Sequence, residues 1–451
     1  QFSLLLGFAI LPLSLPKVRL ASLAQDDLAK EVFKIFPSIL PHRLTNSAFR
    51  GIIIDGNSHF GGNMAGYKKE TSIVFTGDIG FDRYMDKKWL DDELLSDGIL
   101  DFFKSADHVA ANVEGTLIDA EDDGSRGVFF HSMSPDAVAI LRKIQADIWC
   151  IGNNHTMDAG AAGIISTKRI AAAEGARTMG AGLNIDEASA PIFIDEAGGI
   201  GMFVVAYQAE CIPATENSPG IFRWDDTERI ARLISEIKSK CRWCVVVSHG
   251  GEEFAPLPNP YTRDRYLKFL ELGADAVVAH HTHVPENYEL FDDGKMIFYS
   301  LGNFIFDTDY QRAHRYTDTG VLLKLKFTEE KIDFEAIGMK LDRTVERLSD
   351  APLPVVFTNI QEKDYLALAP LSARGFIAEE MRKMIFLEPE RFRNATEQEW
   401  QDYFFSTEPD GYFEGAHMDL SVIVPFTKTL DKKALDECQL EDVKEYIKAI
   451  L

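Results

Sequence analysis

Aspartate, glutamate, asparagine and histidine crowd into six short clusters of this chain, all between residues 77 and 304. They are Gly77-Asp78, Asn112-Val113-Glu114-Gly115, Gly152-Asn153-Asn154-His155 with Asp158 three residues on, Ser248-His249-Gly250-Gly251 followed by Glu252-Glu253, His280-His281-Thr282-His283, and Ser300-Leu301-Gly302-Asn303-Phe304. Five of the 11 histidines lie in them. One histidine in such a place is usually structural. Five, with two carboxylates, form a donor set for metal. Imidazole and carboxylate together suit Zn, Mn, Fe, Co or Ni rather than an all-oxygen calcium cage. This many donors exceeds the needs of one ion, so a binuclear centre is the arrangement expected.

Such donors are useful only if the chain gathers them. From residue 71 to about 345 one pattern repeats: a short β-branched apolar run, a polar cluster, then an amphipathic helical stretch. The runs are Ser72 to Thr76, His108 to Asn112, Ile148 to Ile151, Met202 to Tyr207, Trp243 to Val247, Ala276 to Ala279 and Met296 to Tyr299. Helical patterns fall at Pro135 to Gln145, Gly163 to Glu174, Asp225 to Lys238 and Asp264 to Leu272. Strands alternating with helices predict an α/β sheet covered on both faces. The polar clusters then stand at the carboxyl ends of strands, where open α/β sheets bind ligands.

The flanks read differently. Residues 1–70 form an N-terminal extension whose Gly51 to Gly66 stretch is loop-like. Within it, the apolar run Phe2 to Pro16 is too short for a span of about 20 residues. It reads equally as a packed terminal element or as the remnant of a targeting segment, with Ser22-Leu23-Ala24 as small residues of the kind a signal peptidase accepts. Residues 346–451 lose the alternation and read as a mostly helical extension rich in helix formers. The acidic run Asp91-Asp92-Glu93 reads as a solvated helix start.

With 71 acidic against 47 basic residues the formal charge is −24. No basic surplus exists to displace counterions from a nucleic acid, so no nucleic-acid partner is expected. An acidic protein that handles an anion needs local positive charge, and bound metal supplies it. The five cysteines form no Cys-x-x-Cys pair and read as free thiols. No Gly-x-Ser-x-Gly elbow or phosphate-binding Gly-x4-Gly-Lys-Ser/Thr loop is present.

Gly77-Asp78, Asn112-x-Glu114, Asn153-Asn154-His155-x-x-Asp158-x-Gly160, His249-x-Gly251-x-Glu253, His280-His281-x-His283-Val284 and Tyr299-Ser300-Leu301-Gly302-Asn303-Phe304 resemble, in order, the motif series of the CapA/PgsA family. That family makes bacterial capsule and poly-γ-glutamate and belongs to the calcineurin-like metallophosphoesterases. The resemblance covers about residues 71 to 310. It implies a layered αββα sandwich over residues 71–345 and two divalent ions, Mn, Fe or Zn. Asp78 and His283 would hold the first ion, Glu114 would bridge, and Asn154, His249 and His281 would hold the second. His155, oriented by Asp158, would face the phosphate as acid or electrostatic stabiliser, with His280, Glu253 and Asn303 as weaker substrate contacts.

The activity implied is hydrolytic, with metal-bound hydroxide attacking a phosphate ester. A γ-glutamyl peptide-bond hydrolase and a non-catalytic accessory protein that binds polymer or a synthase partner are the alternatives. The implied partners are an anionic small molecule or polymer and a membrane synthase, and the implied location is the bacterial cell envelope. Departures from the pattern accompany the resemblance. Gly80 stands where most phosphoesterases of this fold have a histidine ligand, which leaves the first site under-occupied. Glu114 replaces an aspartate, while Gly250, Phe254, Thr282 and Ala279 replace Trp, Tyr, Pro and Gly.

Overall fold

The apolar runs become two sheets. The computed structural model describes residues 68–119, 130–208, 211–396, 399–400, 403 and 438–449. Residues 1–67, and with them the glycine-rich loop and the segment read as a packed element or a targeting remnant, lie outside the described residues, as do residues 404–437. The first sheet contains β1 (Glu70–Ile79), β2 (His108–Val113), β3 (Ile148–Cys150) and β4 (Arg177–Met179). The second contains β5 (Ile192–Ile194), β6 (Ile200–Tyr207), β7 (Trp243–Gly250), β8 (Ala276–His280), β9 (Tyr288–Leu290) and β10 (Met296–Phe298). The chain then returns to the first sheet with β11 (Asn303–Ile305), β12 (Thr319–Thr328), β13 (Ile332–Asp342) and β14 (Arg347–Ala351).

Strand order in the first sheet is β14-β13-β12-β1-β2-β3-β4, with β11 also paired to β1; in the second it is β9-β10-β8-β7-β6-β5. The inner strands of both sheets are parallel: β1 to β4 in the first, and β6, β7, β8 and β10 in the second. All seven expected strands are present. The sheet also runs on to Ala351, six residues past the expected end of the α/β region at 345.

Period-two alternation sorts the side chains into layers. Ile73, Phe75, Ala110 and Ile148 of the first sheet meet Met202, Val204, Val245, Val247 and Phe298 of the second in one inter-sheet core. The alternate residues Val74, Val109, Ala111 and Trp149 face outward onto helices α1 (Asp97–Lys104), α2 (Val138–Lys143) and α3 (Gly160–Ala173). On the far side Phe203, Val205, Cys244, Val246 and Val277 face α4 (Thr227–Lys240) and α5 (Pro260–Glu271). The result is the expected αββα sandwich. The helices start at their caps: Ser96 accepts from the Ile99 N–H and Asp226 from the Arg229 N–H.

The acidic run Asp91-Asp92-Glu93 is not a helix start, as its charge pattern suggested; it lies in a turn ahead of α1, and Asp91 and Glu93 pair with Arg347 of β14. Beyond the sheets, α6 (Glu362–Leu387) packs Tyr365, Leu368 and Leu371 on Leu257, in the loop after β7, and on Val356 and Ile360 of the segment that leads into the helix. The five cysteines are free, as expected, four of them buried. Among the described residues no helix is long and apolar enough to cross a membrane.

Candidate metal centre

Strand register gathers the donors. In the first sheet Asp78 stands beside Asn112 on one side and Asn303 on the other, and Asn112 stands beside Cys150. In the second, His249 is beside His280. These positions are the carboxyl ends of parallel strands in both sheets, so both rows of polar residues point to one end of the sandwich. The pairing of β1 with both neighbours breaks register around Asp78, an irregularity of the kind that re-aims side chains beside functional sites. Close backbone approach is built in too: a Cβ on Gly77 would stand 2.1 Å from the Gly302 carbonyl oxygen.

The donor atoms of Asp78, Glu114 and His283 lie within 4.8 Å of one another, and so do those of Glu114, His249 and His281. Glu114 belongs to both groups. Its Oε1 is 3.9 Å from His249 Nε2, 3.9 Å from His155 Nε2 and 3.8 Å from His283 Nε2. Those gaps are too long for hydrogen bonds. Two donors on one ion, each bonded at about 2.1 Å, stand roughly 3.0 to 3.5 Å apart, so an ion between them asks for only a slight closure. Asn154 joins the second group, its Oδ1 2.9 Å from His249 Nε2.

Glu114 is fully buried, yet among the described residues neither of its carboxylate oxygens has a hydrogen-bond partner. A buried carboxylate without donors or counter-charge is costly, because burial disfavours its charged form. Burial, then the neighbouring Asp78, push Glu114 well above the usual carboxylate range. Burial alone would lower His283, but Glu114 and Asp78 hold it up at about 10. The pair of carboxylates draws a cation. Burial keeps the other imidazoles neutral, with His281 lowered to about 4 and His249 well below its ordinary value. Neutral imidazole beside an acid oxygen is the form that ligates metal. The residues present therefore fit divalent metal.

Two of these histidines stand on strained backbone. His281 has φ +97° and His283 φ +60°, in the left-handed region that a residue with a Cβ seldom occupies. The surroundings hold them. Gln208 contacts His281 Nε2 at 2.6 Å, and Asn303 Oδ1 contacts His283 Nδ1 at 2.9 Å. The Asn303 amide nitrogen in turn donates to Gln311 and the Thr317 carbonyl. Asn112 Nδ2 donates to Asp78 Oδ1 at 2.6 Å. Such supporting contacts fix ligand orientation at metal sites.

His155 stands at the edge of the cluster. Its Nδ1 is 2.8 Å from Asp158 Oδ2, so Asp158 orients it, and Nε2 faces Glu114. Burial and then the charge of His131 lower His155 to about 4, against the pull of Asp158. The three weaker candidates are engaged by the protein. His280 Nε2 meets the Thr76 carbonyl at 2.9 Å, Asn303 holds His283, and Glu253 takes an ion pair from Lys383 at 3.0 Å and a hydrogen bond from the Tyr310 hydroxyl at 2.8 Å.

Gly80 has a neighbour that explains it. A Cβ there would lie 2.5 Å from the Phe306 ring, which is buried and 4.9 Å from the His283 ring. Phenylalanine fills the space that a side chain at residue 80 would take. Sequence reasoning missed Phe306, Gln208, Lys383 and the pair His131–Asp82. Only Gln208, at the end of a core strand, carried a positional signal.

Comparison with known proteins gives the chain a family. The family model described as bacterial capsule synthesis protein PGA_cap matches residues 72–308, more than half of the chain. The PGA biosynthesis protein CapA of Bacillus subtilis is 30% identical over 250 residues, 54% of this chain and 65% of that protein. The capsule biosynthesis protein CapA of Bacillus anthracis is 27% identical over 222 residues, 47% of this chain and 53% of that one. A protein of Mycobacterium tuberculosis named "probable polyglutamine synthesis accessory protein" is 24% identical over 215 residues, 45% of this chain and 56% of that one. The chain thus spans between half and two thirds of the length of these relatives. It belongs to the bacterial capsule synthesis protein PGA_cap family.

Proposed function

We propose that this protein is a metal-dependent hydrolase-like component of capsule or poly-γ-glutamate biosynthesis, acting on a phosphate ester. One observation carries the reading: the buried Glu114 carboxylate, without a hydrogen bond among the described residues, has three imidazole nitrogens 3.8 to 3.9 Å from one of its oxygens. Asp78, Glu114 and His283 would hold one ion, and Glu114, Asn154, His249 and His281 a second. Ions bound there would polarise a phosphoryl oxygen and acidify water to near neutrality.

The chain's own residues do the rest. Asp78 and Glu114 confine positive charge to the carboxyl ends of the strands, where an anionic ester can approach a protein that is otherwise acidic. Neutral His155 commits its Nδ1 to Asp158 and turns Nε2 to the cluster. A phosphoryl group set against Nε2 supplies the opposite charge that raises this imidazole again, so it takes a proton there and shares it with the ester.

The relatives' names, capsule and PGA biosynthesis proteins and a polyglutamine synthesis accessory protein, support the process. A membrane synthase as partner and the cell envelope as location belong to the same proposal. The test loads the protein with Mn, Zn or Fe, measures metal content, and assays p-nitrophenyl phosphate and bis(p-nitrophenyl) phosphate. His155→Ala should keep its metal and lower kcat by about 10²- to 10⁴-fold. A loaded wild type that turns over neither ester would refute the hydrolytic reading. The second reading, an accessory protein that binds polymer or synthase, is favoured by Phe306, whose ring closes the place beside Gly80 where a further ligand would stand.

A further inference from the structure

The region beside His155 holds a second histidine–aspartate pair. His131 Nδ1 is hydrogen-bonded to Asp82 Oδ2. The His131 backbone N–H donates to Asp158 Oδ2 at 2.8 Å, the same oxygen that His155 Nδ1 contacts at 2.8 Å. One aspartate therefore ties the backbone of one histidine to the ring of the other. The two rings stand edge to face with centroids 4.2 Å apart. His131 is 7% exposed, and among the described residues its Nε2 has no hydrogen bond.

The chain around Glu114 fixes this arrangement. Thr116 and Leu117 pair in parallel with Ser132 and Met133, so the residue before each strand lies beside its counterpart. Gly115, at φ +96°, lets them close: a Cβ there would stand 2.9 Å from the His131 carbonyl oxygen. On its other flank His131 leans on Phe306, with centroids 5.2 Å apart, and Phe306 leans on His283. His131 is thus held beside the candidate metal cluster on three sides: by Asp82, by Asp158 and by the ring that replaces a side chain at Gly80.

We propose that His131, oriented by Asp82, is a second phosphoryl-binding residue, so that the site takes a terminal phosphate between two histidine–aspartate pairs. This rests on the metal-centre reading above and names the substrate class, phosphomonoester, because two imidazoles on one flank suit a group with several free oxygens. With Nδ1 committed to Asp82, His131 has Nε2 left for an anion, and hydrogen bonds between an imidazole and a phosphoryl group are of the strong, charge-assisted kind. Phe306 keeps that flank dry, where such a bond is stronger.

The experiment measures binding of inorganic phosphate to the Mn-loaded full chain by calorimetry, with metal content and thermal stability as controls. His131→Ala should keep both metal equivalents and weaken phosphate binding by about 10- to 100-fold, the usual cost of one charge-assisted hydrogen bond. Asp82→Asn should weaken it less, and carries the test if His131→Ala fails to fold. With p-nitrophenyl phosphate the loss should fall on KM as well as kcat, while bis(p-nitrophenyl) phosphate, which lacks the extra free oxygen, should be affected less. A wild type that binds metal and phosphate, with both variants binding phosphate equally well, overturns the inference and leaves the metal centre standing. A wild type that binds metal but no phosphate overturns it too. A wild type that takes up no metal overturns both readings.

Discussion

Glu114→Gln should separate the stability of the metal-free protein from that of the loaded one. In chelator the wild type must hold Glu114 fully buried, with no hydrogen bond from the described residues and with Asp78 beside it. The isosteric amide removes the charge and keeps the volume. An unsatisfied buried polar group costs about 1 to 3 kcal/mol, and more when charged. The variant should therefore equal the wild type in EDTA or exceed it by about 1 kcal/mol. In metal the order reverses. Binding to the folded state alone contributes RT ln(1 + [L]/Kd), about 2.7 kcal/mol at a hundredfold excess over Kd. Glu114 is common to both donor groups, so its loss weakens both. At roughly 2 °C per kcal/mol for a large domain, the wild type should gain about 5 °C with Mn and the variant little. Thermal unfolding in EDTA and in Mn measures both, with metal content by plasma mass spectrometry. A variant destabilised by the same amount in the two buffers would show that Glu114 is an ordinary packed residue and would refute the reasoning.

Three further outcomes follow from neighbouring contacts. Gly80→His should destabilise by about 1 to 3 kcal/mol through overpacking on Phe306, and Gly80→His with Phe306→Ala should recover stability and bind metal more tightly, read by thermal unfolding and metal titration. Burial pushes Glu252 up to about 7 from 4.5, against the Asn259 N–H and the Thr262 hydroxyl. The folded state then holds more protons between those values, so stability falls as pH rises through them, by roughly 3 kcal/mol in all, and Glu252→Gln should flatten that slope in denaturant titrations. Lys383→Met should cost about 3 to 5 kcal/mol by chemical unfolding, because it strands the Glu253 carboxylate, whose side chain is only 12% exposed.

The strands were legible because each is a short, largely apolar run with β-branched residues in it. The donors were legible because ligands of a strand-end site must follow such runs in sequence. Period-two alternation in Val245 to Val247 even assigns the faces: Val245 and Val247 point to the other sheet, Val246 to the helices. What sequence could not show arrives from elsewhere in the chain. His131 follows no core strand; it reaches the site through a two-residue ribbon beside Glu114 that has no propensity signal of its own. Phe306 reads as one more apolar residue until its ring is found where Gly80 leaves room. The boundary at residue 345 follows a loss of helical alternation, but β14 needs no helix after it, being joined to β13 antiparallel.

The extension after the sheets bears on the site through Phe254, a residue in the loop after His249. Its backbone is left-handed at φ +60°, and its ring stacks on His314 with centroids 3.7 Å apart and on His283 at 5.9 Å. His314 is in turn held by Glu379 of α6 at 2.7 Å, and the adjoining Glu253 by Lys383 of the same helix. One helix face thus grips both sides of the loop that carries Phe254 against a candidate ligand. A histidine on strained backbone keeps its orientation only where its surroundings over-determine it. For His283 those surroundings include Asn303 from the sandwich and, through Phe254 and His314, a helix some hundred residues later in the chain. Glu253, which its place in the motif suggested for substrate, is the residue through which that helix is fastened.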